Sequence, residues 1–232
     1  MTSLAARIAG VVKEPRTTLA AVAANPRWAG VLMLTTLVTF VSSALLFKTE
    51  VGRFALVDQW ERTAIAFGQH IDDAQYDRFE ALSANGMGYA ALTALLSGPI
   101  LTLAVTLVLT LVARGVLRSR ASFRQLLAMV AYAGVILTLR QVITAPLNYA
   151  SETLASPTTL VRVVSALDET SPLARFLGVI DLFVVWWIVV LAIGVAVIGR
   201  RPARPLALAF TGAYVALALL LALAMAVSGG AA

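Results

Sequence analysis

The sequence predicts an all-α polytopic membrane protein: a five-helix transmembrane bundle with amphipathic helices at its N-terminus and a helical outer loop. Hydrophobic residues make up 60% of the 232-residue chain, whereas charged residues make up only 13%. A soluble domain normally carries about 25% charged residues. The apolar residues are concentrated in five separate blocks. Each block is long enough to cross about 30 Å of hydrocarbon as a helix.

These blocks give the bounds of the predicted spans and of the segments between them. The spans are residues 28–47, 89–113, 123–146, 176–198 and 206–227. They leave an N-terminal segment of residues 1–27, an outer loop of residues 48–88 and a short outer tail of residues 228–232. The whole of residues 28–227 is therefore predicted to form one transmembrane domain.

Arginine and lysine are distributed unevenly between the two sides of the predicted spans. The N-terminal segment and the connections after the second and fourth spans hold eleven basic residues and one acid, Glu14. The opposite side holds six basic residues and ten acids. Because basic residues accumulate in cytoplasmic loops, the N-terminus is predicted to be cytoplasmic and the C-terminus extracytoplasmic.

The overall composition indicates a cellular setting and a class of partner. The chain has 16 Arg, 2 Lys and abundant Ala, which is typical of a GC-rich bacterium and predicts residence in the bacterial inner membrane. The net charge of +6 comes from residues that flank the spans. Anionic lipid headgroups at the cytoplasmic face satisfy such residues, so the lipid bilayer is the expected partner and nucleic acid is not. The absence of Cys excludes disulfides and thiol nucleophiles.

Residues 2–25 have the pattern of two short amphipathic helices with Arg and Lys on the polar side. Leu4, Ile8, Val11 and Val12 line one face of the first helix. Two interpretations stay open. The helices could lie on the inner leaflet as an anchor, or they could present a docking face to a cytosolic partner.

The outer loop has helical periodicity, with Leu56, Trp60, Ala64 and Phe67 on one face. Three acids share another face three to ten residues after His70; they are Asp73, Asp77 and Glu80. The acids could form a solvated face or hold a divalent cation. No metal-binding motif accompanies them, so the sequence predicts no metal site.

In the second span, Gly98 and Pro99 predict a kink, because proline removes one backbone hydrogen bond. Thr102, Thr106 and Thr110 follow at intervals of four residues on one face. Hydroxyl residues at this spacing favour close helix packing, although they could instead line a transport path.

The third span carries the only charge that lies well inside its apolar run, Arg140. Gln141 and Thr144 lie beside it, and the fourth span carries one acid, Asp181. By helix rise, Arg140 lies about 9 Å and Asp181 about 7–8 Å from the outer ends of their predicted spans. An unpaired Arg in lipid costs about 2.5–3.5 kcal/mol on insertion scales, so we expect Arg140 and Asp181 to pair across antiparallel helices.

Three roles for this predicted pair remain open. It could be a structural clasp, or Arg140 could extend to the interface without a fixed partner. The third alternative is a binding site for an anion or a lipid headgroup, formed by Arg140, Asp181, Gln141 and Thr144.

Three stretches resemble the Yip1 family. They are "DLFVVWWIVVLAIGVAVIG" (181–199), "SFRQLLAMVAYAGVILTL" (122–139) and "VVKEPRTTLAAVAANPRWAGVLMLTTLV" (11–38). In one respect the chain departs from bacterial members, which usually carry a proline soon after the Ala-Tyr of the third span; here Gly134 and Val135 follow. The resemblance implies a five-span helical fold and membrane residence.

Eukaryotic members of that family are linked to vesicle trafficking and to Rab-type GTPases through a cytosolic N-terminal region. We do not transfer that partner, because the corresponding segment here comprises only residues 1–27. For bacterial members the resemblance implies no defined biochemical role.

The sequence favours a non-enzymatic membrane organiser, adaptor or subunit of a membrane assembly, with protein partners or further copies of the chain as its associates. No catalytic residue and no cofactor is predicted, since the single His lies in the outer loop and the spans hold one acid. The alternative is a transporter or permeation protein for an ion, lipid or small solute, using the second to fourth spans.

Overall fold

The structure is a computed structural model that describes residues 3–119, 121–164 and 171–229. Within these ranges its regular structure is helical, apart from one isolated antiparallel bridge between Thr159 and Asp181. In chain order the helices are α1 (Leu4–Lys13), α2 (Pro15–Ala24), α3 (Ala29–Phe47), α4 (Glu50–Ala66), α5 (Asp73–Ser83), α6 (Gly86–Gly115), α7 (Phe123–Ala133), α8 (Val135–Ala150), α9 (Leu160–Val163), α10 (Pro172–Val179), α11 (Leu182–Gly199) and α12 (Ala203–Gly229). Arg120 and residues 230–232 of the predicted outer tail lie outside the described residues.

Five helical segments are long and apolar enough to cross a membrane. They are Ala29–Phe47, Gly86–Gly115, Phe123–Ala150, Leu182–Gly199 and Ala203–Val227. Each coincides with one of the five spans expected from the apolar blocks, and the third is formed by α7 and α8 together. The predicted all-α polytopic fold class is confirmed.

Two span boundaries differ from the predicted ones for local reasons. The third span does not end at Pro146, because this proline lies inside α8, which continues to Ala150. The fourth predicted span begins at Phe176, whereas α11 begins at Leu182. The chain leaves the helical conformation at Ile180, which has φ −85° and ψ 107° and follows the short helix α10.

The chain divides into two compact units of contrasting charge. The first unit consists of Met1–Thr39, Thr93–Arg140 and Phe183–Gly212, and the second of Phe40–Leu92, Gln141–Leu182 and Ala213–Ala232. By sequence the first unit holds twelve of the 18 basic residues and one of the 12 acids. The second unit holds the remaining six basic residues and eleven acids.

Helix α7 is the centre of the first unit. Every residue from Leu126 to Ala133 is buried, and Tyr132 is among the largest side chains that are fully enclosed. The helix begins with a capping box in which Ser122 Oγ accepts from the Gln125 N–H at 3.3 Å and Gln125 Oε1 accepts from the Ser122 N–H at 3.0 Å. A helix buried on all sides forms the interior of a bundle rather than its lipid-facing surface.

The two N-terminal helices pack against α7. Val11, Leu19 and Val22 are completely buried, and the Gln125 side-chain amide donates to the Ala23 carbonyl at 3.1 Å. These contacts make α1 and α2 part of the packed core of the first unit.

The apolar face predicted for α1 is therefore partly buried in the core and partly exposed. Val11 is buried and Ile8 packs against the core, whereas Leu4 and Val12 are exposed by 38% and 40%. The protein itself covers part of the surface that was expected to face the leaflet or a partner. For Leu4 and Val12, both interpretations stay predictions.

The second unit contains the outer loop, which is helical as predicted. Its apolar cluster includes Leu46, Phe47, Leu56 and Ala90, with Trp60 packed against it. The Trp60 ring contacts the rings of Phe79 and Tyr89, with centroids 5.8 Å and 5.3 Å apart. Helices α4 and α5 are therefore held onto the unit by aromatic packing.

Candidate functional site around Asp181

Asp181 occupies the position immediately before α11 and is only 4% exposed. Its Oδ2 atom accepts a 2.7 Å hydrogen bond from the hydroxyl of Thr158 and a 2.9 Å bond from the hydroxyl of Ser156. A buried carboxylate is costly unless hydrogen bonds and charges compensate it. The two hydroxyl groups supply part of that compensation.

The backbone around Asp181 pairs with the segment that carries those hydroxyls. The Leu160 N–H donates to the Ile180 carbonyl at 2.9 Å, and the Leu182 N–H donates to the Thr158 carbonyl at 3.0 Å. The first N–H groups of a helix have no partner within the helix. The bridge therefore satisfies the Leu182 N–H at the start of α11.

Tyr214 of α12 completes the arrangement. Its hydroxyl donates to the Val179 carbonyl at 2.7 Å and accepts from the Asp181 N–H at 3.1 Å. One phenol therefore satisfies two backbone groups in the short segment between the end of α10 and the start of α11. We call Asp181, Ser156, Thr158 and Tyr214 the Asp181 cluster.

Of the four residues in this cluster, only Asp181 was predicted from the sequence to be a site residue. Tyr214 is the single polar aromatic residue in the fifth span, and Ser156, Thr158 and Thr159 lie beside Pro157 in the loop before α9. These residues can be noticed in the sequence, but their types do not show that they bond near Asp181. The hydrogen bonds join segments that are 23 to 35 positions apart.

Gln141 and Thr144, predicted to flank the intramembrane pair, are brought together in the second unit. The Gln141 side-chain amide donates to Ser43 Oγ at 3.2 Å, and Thr144 Oγ1 donates to the Gln141 carbonyl at 3.5 Å. Ser43 and Thr144 are buried, with 8% and 4% exposure. This contact links α8 to α3.

Arg140 is half-buried and is the last α8 residue of the first unit, whereas Asp181 belongs to the second. Their pairing stays a prediction. Asp181 lies immediately before α11, at the end of the fourth apolar segment, and not about 7–8 Å inside a helix that begins at Phe176.

The second span runs through Pro99 as one helix, so the kink at Gly98 and Pro99 also stays a prediction. Three threonines beyond it are buried, namely Thr102, Thr106 and Thr110. Thr106 Oγ1 donates to the Thr102 carbonyl at 2.6 Å, and Thr110 Oγ1 donates to the Thr106 carbonyl at 2.7 Å. Hydroxyls bonded in this way belong to the helix's own backbone network.

The acidic residues of the outer loop do not assemble a metal site. Among the residues that the structure describes, no group of three or more His, Asp or Glu side chains is placed to hold a metal ion. His70 is exposed in the connection between α4 and α5.

Comparison with known proteins identifies one family. No curated protein and no solved structure shows a significant match to the chain. The family model of the Yip1 domain matches residues 9–225, from α1 to the last turns of α12. This match takes in the second half of α1, all of α2, the first four apolar segments, nearly all of the fifth and the Asp181 cluster, and the chain therefore belongs to the Yip1 domain family.

Proposed function

We propose that this Yip1-domain protein is a non-enzymatic organiser, adaptor or subunit of a membrane assembly. The observation that supports the proposal most is the use of polar side chains for internal packing. Thr106 and Thr110 bond to the preceding turn of their own helix, and Gln141 bonds to Ser43 between helices. These polar groups are satisfied within the protein, and the Gln141–Ser43 bond also joins two helices.

The chemistry of the chain also supports a role without catalysis. A hydrolytic or transfer centre usually needs a nucleophile beside a base. The chain has no Cys, and its one His is exposed in the outer loop. We expect the protein to act by binding.

We further propose that the protein resides in a bacterial inner membrane with a cytoplasmic N-terminus. The division of charge between the units supports this orientation, because twelve of the 18 basic residues belong to the first unit. Anionic headgroups of the inner leaflet would contact exposed arginines such as Arg16, Arg124 and Arg201.

The absence of Cys makes the orientation directly testable. Ser3 and Ala74 are small and exposed, so each can be changed to Cys. The Ser3 variant also loses the side-chain cap of α1, in which Ser3 Oγ accepts from the Ala6 N–H at 3.2 Å. A membrane-impermeant maleimide should label Ala74→Cys in intact spheroplasts and Ser3→Cys only after lysis. Labelling of Ser3→Cys in intact spheroplasts would reverse the proposed orientation.

The functional proposal is tested by isolating the protein's complexes. After crosslinking in native membranes and extraction in mild detergent, we expect a partner at defined stoichiometry that co-elutes on gel filtration and recovers this chain reciprocally. An unrelated five-span protein expressed at the same level is the control. A chain that elutes alone at every level of crosslinking would contradict the proposal.

The alternative is a transporter or permeation protein that uses the second to fourth spans. The feature that favours it is Pro99, which leaves α6 without one backbone hydrogen bond inside an apolar segment. Reconstituted liposomes distinguish the two functions. Flux of ions or a fluorescent lipid that depends on the protein would favour transport.

A further inference from the structure

We propose that a cavity of the second unit binds a phosphate-bearing ligand, either the headgroup of an anionic phospholipid or a soluble phosphoester. The cavity is an open surface cleft with a volume of about 650 Å³, and both of its arginines are exposed. Small-molecule sites typically have volumes of about 300–1,000 Å³. Its lining includes Arg62, Arg162, Ser151, Thr153, Leu147 and Pro157.

The charge of this cavity contrasts with that of the unit around it. The second unit has eleven acids and six basic residues by sequence, yet two of its five arginines line one cavity. No acidic side chain is among the described residues that line it, although Asp58 lies outside the lining and pairs with Arg62, which offsets one of the two positive charges. The accumulation of basic residues at the cytoplasmic side of membrane proteins does not account for the arginines of the second unit, and two of these five line the cavity.

Arg62 pairs with the acid one turn before it on the exposed surface of α4. Its Nε donates to Asp58 Oδ1 at 2.9 Å, and an Nη atom lies 2.8 Å from Asp58 Oδ2. A guanidinium has five N–H groups, and this two-point contact uses two of them. The remaining donors retain the planar geometry that matches two oxygens of a phosphate.

Arg162 lies on α9, and the bridge to Asp181 fixes the start of that helix. The Leu160 N–H donates to the Ile180 carbonyl at 2.9 Å, one residue after the paired Thr159. Pro157 lines the same cavity between Ser156 and Thr158, the two residues whose hydroxyls donate to Asp181. The Asp181 cluster therefore holds one wall of the cavity in place.

The rest of the lining adds a hydroxyl donor and an apolar surface. Thr153 Oγ1 accepts from the Ala155 N–H at 3.2 Å, so its own hydrogen can donate to a ligand. Leu147 and Ala150 belong to the last turn of the third membrane span. Guanidinium groups beside an apolar span end suit a phosphate that is esterified to glycerol, whether or not the glycerol also carries acyl chains.

The test uses purified full-length protein in mild detergent. Native mass spectrometry would measure retained lipid after addition of phosphatidylglycerol or, as a zwitterionic reference, phosphatidylcholine. Parallel thermal unfolding would be recorded with glycerol 3-phosphate and with inorganic phosphate. Binding of phosphatidylglycerol alone identifies a lipid headgroup, whereas stabilisation by glycerol 3-phosphate identifies a soluble phosphoester, and either result supports the phosphate site.

Two double variants decide whether the cavity is responsible. Arg62→Gln/Arg162→Gln should weaken binding by about tenfold or more, because it removes the charge-assisted bonds. Lys48→Gln/Arg78→Gln removes the same charge from exposed residues of the same unit that do not line the cavity, and it should change binding less than about twofold. Equal losses in both variants would show diffuse electrostatic attraction and overturn the proposal. Absence of binding to every phosphate probe would also overturn it.

A third variant separates binding from folding. Arg62→Lys/Arg162→Lys keeps both charges but loses the two-point geometry, so it should bind with intermediate strength. The unliganded melting temperature of each variant is measured alongside. A Lys variant that binds as tightly as the natural chain would contradict specific guanidinium recognition.

Discussion

The hydroxyl of Thr158 lies 2.7 Å from Oδ2 of Asp181 and donates to it. This bond joins the loop before α9 to the start of the fourth apolar helix, in a region where Asp181 is 4% exposed. Hydrogen bonds to charged groups contribute about 1.5–3 kcal/mol, roughly twice the contribution of neutral ones.

Thr158→Val removes this hydroxyl at nearly constant shape. We expect the free energy of unfolding to fall by about 1.5–3 kcal/mol, measured by titrating mixed micelles with SDS. Thr63→Val is the matched control, because the exposed Thr63 hydroxyl donates only to the preceding turn at Gln59. The control should change stability by less than about 0.5 kcal/mol. A loss of equal size in both variants would contradict the assigned role of Thr158.

Tyr214→Phe removes one hydroxyl that satisfies two backbone groups, the Val179 carbonyl and the Asp181 N–H. We expect a loss of about 1–3 kcal/mol, since both groups would be left without this partner in a part-buried environment. Tyr149→Phe, at a site that is 52% exposed, provides the comparison and should be nearly neutral. Unchanged stability of Tyr214→Phe would mean that water replaces the phenol.

The predicted pairing of Arg140 with Asp181 is tested by a double-mutant cycle. Arg140→Gln and Asp181→Asn should each destabilise the extracted protein, and the double variant should lose less than the two single losses combined. A coupling energy of about 0.5–3 kcal/mol is expected for residues in contact. Strictly additive losses would exclude the pair.

Leu19 tests whether the N-terminal helices depend on the protein core. It is completely buried within the first unit, whereas Leu4 of the neighbouring helix is 38% exposed. We expect Leu19→Ala to cost about 2–5 kcal/mol and Leu4→Ala much less. If α2 were held mainly by lipid, the two variants would have similar effects in detergent and differ little from the natural chain.

The start of α4 requires a glycine. A Cβ added to Gly52 would overlap the Leu46 backbone carbonyl, so Gly52→Ala should destabilise the second unit by about 1–3 kcal/mol. Gly212 of α12 has open space around the same position. Gly212→Ala should be neutral or stabilising, because Ala favours a helix over Gly by about 1 kcal/mol. Reversed effects in thermal unfolding would contradict the packing described for Gly52.

The fold was predictable because a bilayer imposes long apolar helices, and this requirement is visible in the sequence alone. The break before α11 was not predictable. Ile180 is apolar and fits a helix or a strand, so only its pairing with Leu160 explains why the chain is extended there. Tertiary contacts override local preference at this point.

The candidate site was predictable in part. Asp181 could be selected from the sequence because it is the single acid of a predicted span, and the structure shows that it is buried. Its hydroxyl donors were not conspicuous, because Ser and Thr are ordinary loop residues and loop pairings leave no periodic signal. Arg62 and Arg162 lie 100 positions apart in the sequence, so the sequence gives no sign that they line one cavity.

Tyr214 lies 33 positions after Asp181 and 35 after Val179. A chain is synthesised and inserted from its N-terminus, so the fourth apolar helix emerges before its phenolic partner exists. Until the fifth helix arrives, a carbonyl and an N–H at the entrance of α11 lack the group that satisfies them. Arrival of the fifth helix therefore completes the hydrogen bonding at the start of α11, and a product truncated before Tyr214 would lack both of these bonds.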